Sequence, residues 1–90
     1  MPVLTKSFTI PNKLGLHARA AAQLVKAANR FASEITLATK KQAVNAKSIM
    51  GVLMLAAAQG TKISVTVEGK DAPEAMKTIE GIIDNKFGEE

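Results

Sequence analysis

Two hydrophobic periods alternate along this 90-residue chain, and that alternation restricts its fold more than any other feature. Leu4, Phe8 and Ile10 alternate with Thr5, Ser7 and Thr9; Ile35 and Leu37 with Glu34 and Thr36; Ile63, Val65 and Val67 with Ser64, Thr66 and Glu68. A period of two predicts strands with one apolar and one polar face, and Lys6 is the exception in the first of them, Val3 to Ile10. A weaker extended piece, Gln42 to Asn45, pairs with the Ile35 strand as a hairpin across Thr39-Lys40-Lys41. Between the strands the spacing turns helical. Ala21, Leu24, Val25, Ala28 and Phe31 follow i, i+3, i+4, i+7 and predict a helix over residues 18–31. Ala72, Ala75, Met76, Ile79, Ile82, Ile83 and Phe87 form a second stripe, opened by Asp71 as N-cap, Pro73 in the first turn and Glu74 three residues on. Ser48, a favoured N-cap, begins a short helix through Ile49-Met50-Gly51-Val52-Leu53-Met54, where Gly51 costs up to about 1 kcal/mol relative to Ala. The order is β-α-β-β-α-β-α. Strands that are polar on one face need helices on the other, so we expect one two-layer α+β domain, an open-faced sandwich spanning residues 1–90.

The composition narrows function by subtraction. Without cysteine there is no disulfide, thiolate nucleophile, iron–sulfur cluster or cysteine zinc site. The longest uncharged stretch, Ser48 to Thr61, is broken by Gly51, Gln59 and Gly60 and is too short to span a membrane. Met1-Pro-Val-Leu-Thr-Lys does not read as a signal peptide, and we expect a soluble, cytoplasmic monomer. Charge is uneven: residues 1–45 carry seven Lys or Arg against Glu34 alone, while residues 46–90 carry five Lys against seven acids. A basic half implies an anionic partner, or no more than solvated helix faces.

Catalytic resources are correspondingly few. The single histidine, His17, stands between a glycine-containing loop and the first turn of a helix. That turn leaves backbone N–H groups unpaired and carries the positive end of the helix dipole, which suits an anion. Arg19 adds a cation where the dipole disfavours one, a choice that helix stability does not explain. An imidazole that accepts a phosphoryl group explains it: the oxygens would lie beside the guanidinium and the N–H groups of Ala18 and Arg19, and Gly15 would bring the loop backbone close. Imidazole is largely neutral and nucleophilic near pH 7. One His with no Cys and no carboxylate between Leu14 and Ala32 cannot hold a metal of the usual ligand number, so we expect neither metal nor cofactor. A Ser-His-Asp hydrolase lacks its nucleophile elbow.

Gly15-Leu16-His17-Ala18-Arg19 ahead of Ala-Ala-Gln-Leu-Val, with Lys47-Ser48-Ile49-Met50-Gly51-Val52 and Gln59-Gly60-Thr61 downstream, resembles the HPr family, the histidine phosphocarriers of the phosphoenolpyruvate-dependent phosphotransferase system. The resemblance covers essentially the whole chain. It implies an antiparallel sheet of order 1-4-2-3 with three helices on one face. It also implies that His17 is phosphorylated on Nδ1 by phospho-enzyme I, that Arg19 steadies the group, and that an EIIA-type domain receives it. On this resemblance the chain is a stoichiometric carrier with no turnover of its own, serving sugar uptake or a regulatory, nitrogen-type branch. Where many members have proline after the arginine this chain has Ala20, which points to a proteobacterial, regulatory carrier and leaves an N–H donor in place.

Ser48 is an N-cap from the residues alone; the resemblance adds that a serine here looks like the target of the HPr kinase/phosphorylase. Ile49, Met50, Leu53 and Met54 exceed what one stripe on a short helix needs, so we expect part of this set, with Leu16 and Ala20, to face partners beside His17. Lys13, Arg19, Lys26 and Lys47 would ring that patch and steer acidic partners. Two other classes compete: a basic nucleic-acid-binding α+β domain, disfavoured because Phe8, Phe31 and Phe87 form no stacking platform, and a regulatory protein acting through Ser48 alone, which leaves His17 and Arg19 unexplained.

Overall fold

Ile63, Val65 and Val67 are all buried along β4 (Lys62–Glu68), and a strand buried on one face at three alternate positions belongs in the middle of a sheet. In the computed structural model, which describes residues 2–89, β4 pairs antiparallel with β1 (Val3–Thr9) on one side and β2 (Glu34–Ala38) on the other. The short β3 (Ala43–Asn45) closes the far edge, giving the order β1-β4-β2-β3. Phe8 lies opposite Ile63, Leu4 and Ile35 opposite Val67, and Leu37 opposite Val65, so one face of the sheet is continuously apolar. On the other face Thr5 and Thr66 are opposed, their hydroxyl oxygens 3.2 Å apart. The helices α1 (Ala18–Ala28), α2 (Ile49–Met54) and α3 (Ala72–Asp84) cover the apolar face, α1 packing on both α2 and α3. This is the expected open-faced sandwich with the expected element order and strand order.

Lys6 on the apolar face of β1 has a partner. It lies opposite Val65 and its Nζ stands 2.9 Å from Glu80 Oε1 on α3, so the ammonium reaches past the core rim to a carboxylate. Both ends are partly exposed, so the pair contributes little stability and mainly occupies an edge strand with a charge. Gly51 also has a spatial reason: a Cβ there would stand 3.3 Å from Val44 Cβ and 3.4 Å from the Asn45 carbonyl oxygen. Its absence lets α2 lie close against β3.

The structure departs from the sequence expectations in three places. α1 ends at Ala28, short of residue 31: Asn29 is its C-cap, and the Asn29 side chain donates to the Val25 carbonyl at 2.9 Å, competing with a further helical turn. Phe31 reaches the core from a turn. Asp71 occupies the N-cap of α3 but its side chain does not cap the helix. The carboxylate instead accepts from Ala32 N at 2.8 Å, Ser33 N at 2.9 Å and the Ser33 hydroxyl, fastening the α1–β2 connection to the start of α3. Phe87 lies beyond the helix. α3 stops at Asp84, and Lys86, Phe87 and Gly88 all take positive φ (54°, 55° and 79°), a left-handed turn that puts Phe87 back into the core.

The Ser33 hydroxyl, then the Ala32 N–H, hold the Asp71 carboxyl below its ordinary value of 3.8. A lowered folded value means that the stabilisation is present above the unfolded value and is lost as pH falls through the folded one. Asp71→Asn is expected to lower Tm at pH 7, with the gap from the parent protein narrowing as the pH is taken below about 4. Thermal melts across pH check this; a gap that stays constant with pH refutes it.

Candidate functional site

The loop before α1 is fixed from beneath. Leu16 N donates to the Ala57 carbonyl at 2.8 Å and Gly15 N to the Asn12 carbonyl at 3.2 Å, so the loop is fastened to the α2–β4 connection. Gly15 has φ +66°, and a Cβ there would overlap the Ala57 carbonyl oxygen and lie 2.9 Å from Ala58 Cα. Only glycine permits both the backbone angle and the approach. Asn12, buried to 1% exposure, donates from Nδ2 to the Gly15 carbonyl at 2.8 Å.

His17 is the N-cap residue of α1, with extended φ −77° and ψ 178°. Ring Nδ1 accepts from Arg19 N at 3.3 Å, as a capping side chain does. Ring Nε2 lies 2.8 Å from Glu89 Oε2. An ionised carboxylate can only accept, so Nε2 carries the proton and the Nδ1 lone pair faces the free end of the helix. The N–H groups of Ala18 and Ala20 have no intrahelical acceptor in this first turn. Ring and carboxylate are largely enclosed, with side chains 24% and 14% exposed.

The turn after α3 delivers Glu89 to this place. Phe87 is buried, its carbonyl accepts from Gln23 Nε2 of α1 at 2.8 Å, and the chain then passes over the His17 loop. Glu89 Oε2 also accepts from Asn12 Nδ2 at 2.7 Å. The Asn12 amide, foremost, and then His17 hold the Glu89 carboxyl below its ordinary 4.5, against a smaller opposing effect of burial. It is therefore a carboxylate at neutral pH.

Several candidate residues meet here and others do not. His17, Arg19 and Ala18 share the start of α1, and the Arg19 side chain is exposed with no ion pair among the described residues. The Gly15 N–H is already committed to Asn12, so the expected backbone donor to phosphate at Gly15 is corrected; Gly15 serves the close approach to Ala57. Leu16 and Ala20 are buried and cannot meet a partner, because the loop and α1 turn them into the core. On α2, Ile49, Met50 and Met54 are 47%, 69% and 63% exposed, whereas Leu53 is half-buried against the core. Lys13 and Lys26 are exposed. Lys47 is half-buried and donates from Nζ to the Phe31 carbonyl at 2.7 Å, so its charge is tied to the α1–β2 turn and is not free at the rim. Ser48 caps α2, its Oγ accepting from Gly51 N at 3.1 Å.

Sequence reasoning missed Asn12 as a member of the site and left the role of the C-terminal acids, Glu89 among them, open. Asn12 reads as the end of a strand beside Pro11, and Glu89 as one more acid after α3; the positive φ run that joins them has no local signature beyond Gly88. Among the described residues no three His, Asp or Glu side chains gather to hold a metal.

An imidazole at a helix start on an open-faced sandwich, its unprotonated Nδ1 capping the helix and an exposed arginine two residues on, is the feature against which known proteins can be compared. Residues 4–85 match the family model described as PTS HPr component phosphorylation site. The chain is 50% identical over 88 residues to the phosphocarrier protein HPr of Xylella fastidiosa, covering 98% of this chain and 99% of that one. It is 46% identical over 87 residues to the HPr of Cupriavidus necator, covering 97% and 98%. The crystal structure of HPr-C-His from Thermoanaerobacter tengcongensis superimposes with a TM-score of 0.90 at 44% identity, covering 100% of this chain and 99% of that one. The chain belongs to the HPr family, the phosphocarriers of the phosphotransferase system.

Gly15→Ala tests how far the site depends on the loop's approach to Ala57. It is expected to cost about 2–4 kcal/mol, from forced overlap and a left-handed alanine together. Denaturant unfolding measures the loss, and a variant as stable as the parent shows that the loop is free to move.

Proposed function

We propose that the chain accepts a phosphoryl group on Nδ1 of His17 from phosphorylated enzyme I and passes it to an EIIA-type domain. The observation that carries this reading is the ring's placement: Nε2–H is held by Glu89 at 2.8 Å, which leaves the Nδ1 lone pair at the open end of α1. In the transfer the Nδ1 lone pair attacks phosphorus, the donor's phosphorus–nitrogen bond breaks, and its electron pair returns to the donor imidazole. No proton need move on this side, because Nε2 keeps the one it has. The oxygens of the arriving group are received by the first-turn N–H groups of Ala18 and Arg19, the latter released from Nδ1 when that lone pair bonds phosphorus, and by the Arg19 guanidinium, which no carboxylate among the described residues holds. Transfer onward is the same exchange in reverse, with neutral imidazole as leaving group. Donor and acceptor supply the remaining machinery, so the chain acts as a stoichiometric carrier. Ile49, Met50 and Met54 form the apolar part of the docking surface, with Arg19, Lys13 and Lys26 as its basic rim.

Ser48 is the proposed regulatory position, supported by its exposure on the same helix as that apolar set. A phosphate of charge about −1.5 to −2 would leave the cap's surroundings intact and oppose docking of an acidic partner.

Incubation with enzyme I and labelled phosphoenolpyruvate is expected to add one acid-labile, base-stable phosphate to the chain and none to His17→Ala. Arg19→Ala should retain the fold and accept phosphate at least about ten-fold more slowly, the loss of one charge-assisted contact. Equal labelling of His17→Ala and the parent overturns the reading. Acid-stable phosphate on the parent, absent from Ser48→Ala after incubation with the HPr kinase and ATP, checks the regulatory position.

A further inference from the structure

The ring of His17 is held by more than a helix start. Glu89 Oε2 accepts from Nε2 at 2.8 Å and from Asn12 Nδ2 at 2.7 Å, and Asn12 is itself buried and tied to the Gly15 carbonyl at 2.8 Å. Imidazole, carboxylate and amide thus form a chain in which each group orients the one before it. This arrangement is not needed to seat the segment after α3, because Phe87 in the core and the Gln23 bond to its carbonyl already do that. Nor does it satisfy the asparagine, whose Oδ1 is left without a partner among the described residues.

From this geometry we infer that Glu89 is a positioning residue for phosphoryl transfer: it fixes the ring with the proton on Nε2 and neutralises the positive charge that the ring acquires when Nδ1 is phosphorylated. The inference rests on the carrier reading of His17. The charge balance is simple. Neutral imidazole gives its Nδ1 pair to phosphorus and keeps the Nε2 proton, so the ring becomes a cation as the donor ring loses one. A hydrogen bond that joined a neutral donor to a carboxylate then joins a cation to it, and such bonds are about twice as strong. Glu89 therefore holds the phosphorylated ring more tightly than the free ring, which favours acceptance over return. Arg19 on α1 and Lys13 in the loop are the charged residues nearest in sequence, both exposed; the only carboxylate bonded to the ring in the described residues is Glu89.

Two substitutions separate positioning from packing. Glu89→Gln keeps the size and an acceptor oxygen but removes the charge, whereas Gln23→Ala loosens the segment after α3 and leaves the carboxylate. Nitrogen-edited NMR of the histidine ring reads the Nε2–H directly, and rapid-quench labelling by phospho-enzyme I reads acceptance. For Glu89→Gln we expect the Nε2–H signal to move upfield and exchange faster with water, acceptance to slow by roughly ten-fold, as for loss of other partners that orient a reacting imidazole, and the melting curve to stay close to the parent's. Glu89→Asp, with a carboxylate one carbon shorter, should recover part of the rate, and Gln23→Ala should lower Tm more than it slows acceptance. If the Nε2–H signal of Glu89→Gln matches the parent's, or if acceptance is as fast, Glu89 does not position the ring. Absence of labelling in the parent protein overturns the carrier reading, an outcome distinct from parent and Glu89→Gln labelling at one rate.

Discussion

A sheet with a single apolar face must find all its cover on that side, and this one-sidedness governs the rest of the molecule. β4 is paired along both edges and contributes Ile63, Val65 and Val67 to one surface only, so the three helices crowd onto the same face and α1 must touch both α2 and α3. The start of α1, the exposed side of α2 and the segment after α3 are brought together by that crowding. The candidate site residues lie 17, 48 to 54 and 89 positions along the chain, on segments that the one-sided cover carries on the same face of the sheet.

Where two residues satisfied a local rule, the sequence was sufficient to place an element. The alternation at Ile63, Val65 and Val67, the stripe from Ala72 to Ile83 and the cap at Ser48 all depend on contacts within a few residues or on burial of a whole face. The exceptions were residues whose partner lies far along the chain. Lys6 broke its strand's pattern because Glu80 waits across the core rim. Asp71 had the residue type of a cap and the position of one, yet its carboxylate served Ala32 and Ser33, a use that no local pattern separates from capping. Phe87 continued a helical stripe on paper and reached the core through a left-handed turn in fact.

The site divides along the same line. His17 and Arg19 were legible because a helix start has a known electrostatic character and the two residues sit at it. Leu16 and Ala20 were misassigned to the surface: a loop residue can turn either way, and the bond from Leu16 N to Ala57 turns Leu16 inward, while Ala20 lies on the buried side of α1. Glu89 was not legible as a partner of the ring, nor Asn12 as a partner of Glu89: 72 and 77 positions separate these bonded pairs. Scarcity of reactive residues is therefore a poor guide to how much a chain contributes to its own chemistry. One histidine here has its two ring nitrogens distinguished, Nδ1 by its own helix and Nε2 by a carboxylate 72 positions away.

That long span has a consequence for the order in which contacts can form. A hydrogen bond between positions 17 and 89 cannot form until β1, β4 and the segment beyond α3 have all found their places. Until they have, no carboxylate holds the ring, because the one that does so stands 72 positions away. The bond at Nε2 therefore ties the start of α1 to the segment after α3, and its presence reports that these two distant pieces of the fold have met.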